Sequence, residues 1–176
     1  CFGPPAMRVA NLVGQLATEA SPTLWILQAK DLAQQLTPND GDDLFSTMLH
    51  PPANTLGFRF DEWLIRTQVA AAMLVCFLDD GWESSIRRKY LQSILYGPVD
   101  WTTKAGIIAT TELLRLEPNL VSQVINELFT PLMEVREGAI YHSCIFEPMV
   151  RSLLRVEAIP QDVRSIYEKL LPYVVD

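Results

Sequence analysis

Apolar residues recur along this chain at three- and four-residue spacings almost from end to end, the period of a helix with one buried face. Residues 5–17 and 22–36 carry the pattern first, and Ser21 followed by Pro22 predicts an N-cap with proline in the first helical position. A longer helix is expected over 61–78 with Asp61 as its cap. Its second half is apolar on every side, as in a helix buried between neighbours. Over 84–95 the pattern is amphipathic. Ile86, Tyr90, Leu91, Ile94 and Leu95 form the stripe, and Arg87, Arg88, Lys89 and Gln92 are expected to face water. Gly97-Pro98 stops this helix, Asp100 is predicted to cap the next one to about residue 116, and Pro118-Asn119 turns into another reaching residue 135. Further helices are expected over 138–156, kinked at Pro148, and from Pro160 onward. No segment reads convincingly as a strand, and short turns between helices imply antiparallel neighbours. The expected fold is all-α, with eight or nine helices in a single domain over residues 1–176.

The pattern also repeats at an interval of 38 residues. Arg66, Lys104 and His142 stand at that interval, as do Trp63 and Trp101. Ile86, Tyr90, Leu91, Ile94 and Leu95 precede Val124, Leu128, Phe129, Leu132 and Met133 by the same step. Self-similarity of this length marks stacked helical units, each burying its apolar face against a neighbour. Residues 37–60 interrupt the rhythm with Pro38, Gly41, Pro51, Pro52 and Gly57. They are read as an irregular insertion with room for one short helix over 43–49. Their apolar side chains predict that the segment docks over the 61–78 helix, with an exposed adhesive segment that meets a partner as the alternative.

Two of the units carry a shared signature. Asp61-Glu62-Trp63-Leu64-Ile65-Arg66 leads into Val69-Ala70-Ala71, and Asp100-Trp101-Thr102-Thr103-Lys104 leads into Ala105-Gly106-Ile107-Ile108-Ala109. A third, degenerate copy places Tyr141-His142 in the corresponding position without the aspartate. This resembles the HEAT/armadillo-type helical repeats, most clearly over residues 61–157. The resemblance implies a short α-solenoid of stacked antiparallel helical hairpins. In it the aspartate caps the second helix of a hairpin, and the basic side chain bridges to the neighbouring unit's turn.

Composition narrows the function classes. The chain is 49% hydrophobic and 20% charged, too apolar for disorder. Its formal charge of −7 is spread along the sequence. Such an acidic balance disfavours nucleic acid and anionic membrane surfaces as partners. The longest apolar run, residues 69–78, is far short of a membrane span. Cys1, Cys76 and Cys144 form no CxxC pair, which suits a reducing, cytoplasmic setting. The sequence opens on Cys1 with no initiator Met, which leaves room for residues upstream.

The candidate chemistry is sparse. Asp79-Asp80-Gly81-Trp82-Glu83 resembles the aspartate-rich strings that hold magnesium and diphosphate in all-helical isoprenoid synthases, and Asp79, Asp80 and Glu83 are the alternative metal set. Against that set, no second acidic cluster is in view, and Gly81 is expected to end the helix. His142 and Cys144 stand two apart, on different helix faces, and His50 precedes Pro51-Pro52 in a loop. Glu134 and Glu137 flank a turn. Asn39-Asp40-Gly41-Asp42-Asp43 resembles the opening of a calcium loop in composition only, and turn and capping chemistry accounts for it. No catalytic residue and no cofactor are assigned.

The residues of most interest are therefore the repeat ladder itself: Trp63, Arg66, Trp101, Lys104, Tyr141 and His142. Tryptophan, tyrosine and arginine are enriched at binding hot spots. The competing expectation is that they pack and bond between units. The sequence-level reading is a non-catalytic protein-interaction or scaffold module with an unidentified protein partner, homo-oligomerisation left open. A metal-dependent helical enzyme and a nucleic-acid-binding helical repeat are the alternatives.

Overall fold

The computed structural model describes residues 4–19, 24–83, 85–97 and 100–132. Among them the chain forms seven α-helices and no strand. These are α1 (Met7–Ala17), α2 (Trp25–Leu32), α3 (Gly41–Leu49), α4 (Phe60–Val75), α5 (Ile86–Leu95), α6 (Asp100–Leu116) and α7 (Val121–Val124). The expected helices over 138–156 and from Pro160 lie outside the described residues, as do Ser21 and Pro22. Two compact units are present, residues 1–94 and residues 95–176.

In the first unit α4 is the central element, packed by α1, α2 and α3. The cause is the apolar run that the sequence displays. Every residue from Val69 to Cys76 is buried, because a helix with no polar face has nothing to turn toward water. Leu12, Val13 and Leu16 of α1, Trp25 and Ile26 of α2, and Leu44 and Met48 of α3 supply further buried side chains. Cys76 is among the buried residues, its Sγ–H donating to the Ala72 carbonyl at 3.4 Å.

Three local expectations are corrected here. Asp61 is not the cap of α4: Arg59 has extended backbone at φ −58 and ψ 148, and the helix begins at Phe60. Asp61 sits inside the first turn and accepts from Arg59 Nη2 at 2.8 Å. The segment 37–60 contains the short helix expected over 43–49, but the regular structure starts earlier, so only its second half is irregular. Thr37 and Asp40 form a capping box around a 3₁₀ turn at Pro38–Asp40, which feeds directly into α3. Leu44 and Met48 then pack as ordinary helix core, whereas Leu49, Leu56 and Phe60 remain exposed. Arg87 does not face water but is 2% exposed. Its Nε donates to the Gly81 carbonyl at 2.6 Å, Nη1 to Cys76 at 3.2 Å and Nη2 to Asp80 at 3.2 Å. The turn after α4 presents carbonyls with no intrahelical partner, and a guanidinium is the side chain that can satisfy several together.

In the second unit the described residues are 95–97 and 100–132. A 3₁₀ turn at Pro118–Leu120 opens a continuous helical run in which α7 passes into a π-helical stretch over Ile125–Phe129. Of the described positions of the apolar frame that recurs at 38 residues, Leu91, Ile94 and Leu95 are buried, as are Val124, Leu128, Phe129 and Leu132, whereas Ile86 and Tyr90 are only half-buried. Met133 lies outside them. The hydroxyls of Thr103, Thr110 and Thr111 are buried but donate to the carbonyls of Leu95, Gly106 and Ile107, so α6 carries them without unpaired polar atoms.

Candidate interaction surfaces

The ladder residues are divided between interior and surface. Trp63 is 3% exposed, stacks on Phe58 with ring centroids 5.7 Å apart, and donates its indole N–H to the Pro52 carbonyl at 2.7 Å. Arg66 reaches the end of α1, its Nη1 lying 3.0 Å from the Ala17 carbonyl and 3.4 Å from that of Glu19. The same guanidinium lies 4.4 Å from the Phe58 ring centroid and 5.6 Å from that of Trp25, with Nε on Glu62 at 3.2 Å. A cation at a helix C-terminus is favoured by the helix dipole and supplies donors to its last carbonyls. Arg66 thus holds the turn after α1, which Trp25 also reaches by donating its indole N–H to the Glu19 carbonyl at 3.2 Å.

On α6 the corresponding pair is exposed. Trp101 is 58% exposed and Lys104 faces solvent. The exposed side of α6 is a line through Trp101, Lys104, Ile108 and Arg115 with the part-buried Glu112, flanked at its end by the exposed Leu116. Arg115 pairs with Glu112 at 3.3 Å. Tyr141 and His142 lie outside the described residues.

The aspartate-rich turn is organised as structure. Asp79 Oδ2 accepts the Ile86 N–H at 2.7 Å, at the start of α5, and Oδ1 lies 3.7 Å from Arg87 Nε. Arg87 in turn stands 5.8 Å from the Trp82 ring centroid. Asp80 and Glu83 are exposed. Among the described residues no group of three His, Cys, Asp or Glu side chains is placed to hold a metal ion. The acids at 40–43 are likewise assigned to structural partners. Asp43 Oδ1 accepts the Ala6 N–H at the start of α1 at 3.0 Å, and Asp42 Oδ1 accepts the Tyr90 hydroxyl at 2.5 Å. Asp40 accepts from Arg8 at 2.6 Å and from the Thr37 N–H at 2.7 Å. Burial alone would raise the Asp40 carboxyl, yet Arg8 and Thr37 hold it below its ordinary value. Burial, followed by the Asp42 carboxylate, pushes the Tyr90 hydroxyl up to about 12. Gly41 sits against this tyrosine so closely that a Cβ added to it would lie 2.1 Å from Tyr90 Cε2.

A groove that sequence reasoning missed runs between α1 and the 50–55 loop, with a volume of about 630 Å³. One wall is the outer face of α1, where Met7, Ala10, Asn11, Gly14, Gln15 and Thr18 follow each other at helical spacing. The opposite wall is the loop from His50 to Ala53 together with Thr55, and Pro4, Pro5 and the edge of Trp63 complete it. His50 is the one titratable side chain in this lining. The Trp63–Pro52 hydrogen bond fixes the loop to α4. Gly14 faces Pro52 across the groove, where an added Cβ would make ordinary van der Waals contact with Pro52 Cγ at 3.6 Å.

Compared with known proteins, the chain matches no family model, no curated protein and no solved structure. No described helix is long and apolar enough to cross a membrane.

Proposed function

We propose that this protein is a non-catalytic interaction module, built as a short stack of helical hairpins similar to HEAT/armadillo repeats. The α1 groove is the surface that receives a partner. One observation carries the reading: this concavity is lined by apolar and neutral polar groups on a chain of net charge −7. Sites for small molecules and peptides combine apolar walls with a few placed polar groups. Here Asn11, Gln15 and Thr18 stand along the α1 wall and offer polar groups to the amides of a bound segment, while Met7 and the proline loop meet its side chains. The partner is therefore a short, extended, uncharged apolar segment of another protein.

The hairpin reading is supported by Arg66, which links α4 to the turn that follows α1, the bridge that the repeat resemblance implies. Of the ladder, Trp63 serves the groove as a wall, and Trp101 and Lys104 belong to a separate surface on α6.

Peptides selected from a random display library against the immobilised chain test the reading. Enriched peptides should be apolar and uncharged, and Met7→Glu should weaken their binding at least about tenfold while helicity is unchanged. Met7 is 75% exposed, so this substitution costs the fold nothing of note. Enriched peptides that bind the Met7→Glu chain as well as the parent would overturn the groove assignment.

A further inference from the structure

The exposed line on α6 has an internal symmetry. Trp101 and Arg115 lie seven residues to either side of Ile108, and Lys104 and Glu112 lie four residues to either side of it. These five lie along one face of α6, with Ile108 38% exposed at the centre, Trp101 58% exposed at one end and Glu112 part-buried, while Leu116, also 38% exposed, lies beside the line at the end of the helix. Steps of seven residues keep Trp101, Ile108 and Arg115 on one seam of a helix crossing a neighbour at a shallow angle, over about 21 Å of helix length.

We infer that this face of α6 binds the same face of a second copy of the chain, antiparallel, about a two-fold axis through Ile108. Rotation about that axis sets Ile108 on its own counterpart. It sets Lys104 opposite Glu112 of the other copy, twice, and Trp101 opposite Arg115, twice. Each contact is complementary: ammonium on carboxylate, and guanidinium over an indole face. A parallel arrangement would instead oppose Lys104 to Lys104. An isologous contact requires a patch complementary to itself, and the order Trp-Lys-Ile-Glu-Arg satisfies that only when reversed. Glu112 already holds the guanidinium of Arg115 at 3.3 Å within one copy, so both are oriented before association.

This inference concerns a surface separate from the α1 groove and does not depend on it. A single helix pair buries area at the low end for specific association. Dimerisation is therefore expected within a window of about 1 µM to about 1 mM.

Sedimentation equilibrium of the full chain across that range tests the inference. The expected result is a rise from 19.9 kDa toward twice that mass. Ile108→Asp, which sets two carboxylates on the axis, should leave a monomer throughout. Lys104→Glu or Glu112→Lys alone should raise the dissociation constant at least about tenfold through like-charge opposition, and the two together should restore it to within about threefold. Met7→Glu in the groove should leave the dimer unchanged. Circular dichroism of every variant should match the parent, because Met7, Lys104 and Ile108 are exposed and Glu112 is part-exposed with a surface ion pair as its partner. A parent chain monomeric at all concentrations, a dimer indifferent to Ile108→Asp, or a double exchange that fails to restore association would each overturn the inference.

Discussion

On α4 the tryptophan and the base three residues later face inward, Trp63 under the 50–59 loop and Arg66 onto the last carbonyls of α1. On α6 the same two residue classes at the same spacing face solvent. The helices are alike in local sequence, so the difference comes from what covers them. Before α4 the chain runs through Pro52 and Phe58, which supply an acceptor for the indole N–H and a ring for it to stack on. A repeat period therefore specifies which residue types recur, and the segment preceding each copy decides whether they become core or surface.

The largest effect expected from this contrast is on stability. Trp63→Ala should cost about 3–5 kcal/mol in urea unfolding, through a lost stack, a lost hydrogen bond and the resulting cavity. Trp101→Ala should stay within about 0.5 kcal/mol when the chain is dilute. Equal losses at the two positions would erase the distinction. Next in size, Arg66→Ala should cost about 1.5–3 kcal/mol, the range for hydrogen bonds that involve a charged group. Lys104→Ala should change stability by no more than about 0.5 kcal/mol.

A smaller effect sharpens the picture of the first unit. Tyr90 keeps its proton to about pH 12 because burial and Asp42 disfavour the phenolate. A pKa raised in the fold stabilises the protein below the unfolded value, near 10, and that stabilisation is lost as pH climbs from about 10 to about 12. The parent should accordingly lose stability across that alkaline interval, and Tyr90→Phe should lose less. The ionisation is read from tyrosinate absorbance. Identical alkaline profiles would show that the Tyr90–Asp42 bond does not couple to folding.

The smallest effect is optical and leaves stability untouched. Of the four tryptophans, Trp25, Trp63 and Trp82 are buried and Trp101 is exposed. Acrylamide should quench one readily accessible component of the emission, and Trp101→Phe should remove it. If the accessible component survives, another indole is the exposed one.

The sequence made the all-helical class and the burial of residues 69–76 legible, because an α-helix with no polar face admits one solution. The short helix expected over 43–49 is present as α3, but its start at Gly41 was missed because glycine counts as a breaker in a one-dimensional pattern. Here the glycine leaves room for the Tyr90 ring, a neighbour 49 residues away that local pattern cannot supply. Arg87 was placed in water by its position off the apolar stripe, yet its side chain is long enough to turn back onto carbonyls behind it. The groove was invisible for a related reason: α1 and the 50–55 loop carry no motif, and their juxtaposition depends on α4 holding Pro52. The Trp101–Lys104 pair was visible as a ladder, but its exposure was not.

Arg87 has a consequence for how the first unit opens. Its guanidinium is shared among three carbonyls of the turn after α4, and Asp79 from that turn accepts the first N–H of α5. Neither element can detach without stranding polar groups of the other in a buried setting, which makes partial opening costly. The end of α4, the turn and residues 86–94 should therefore exchange their amide hydrogens as one cooperative unit, with slow and closely matched rates, instead of fraying helix by helix.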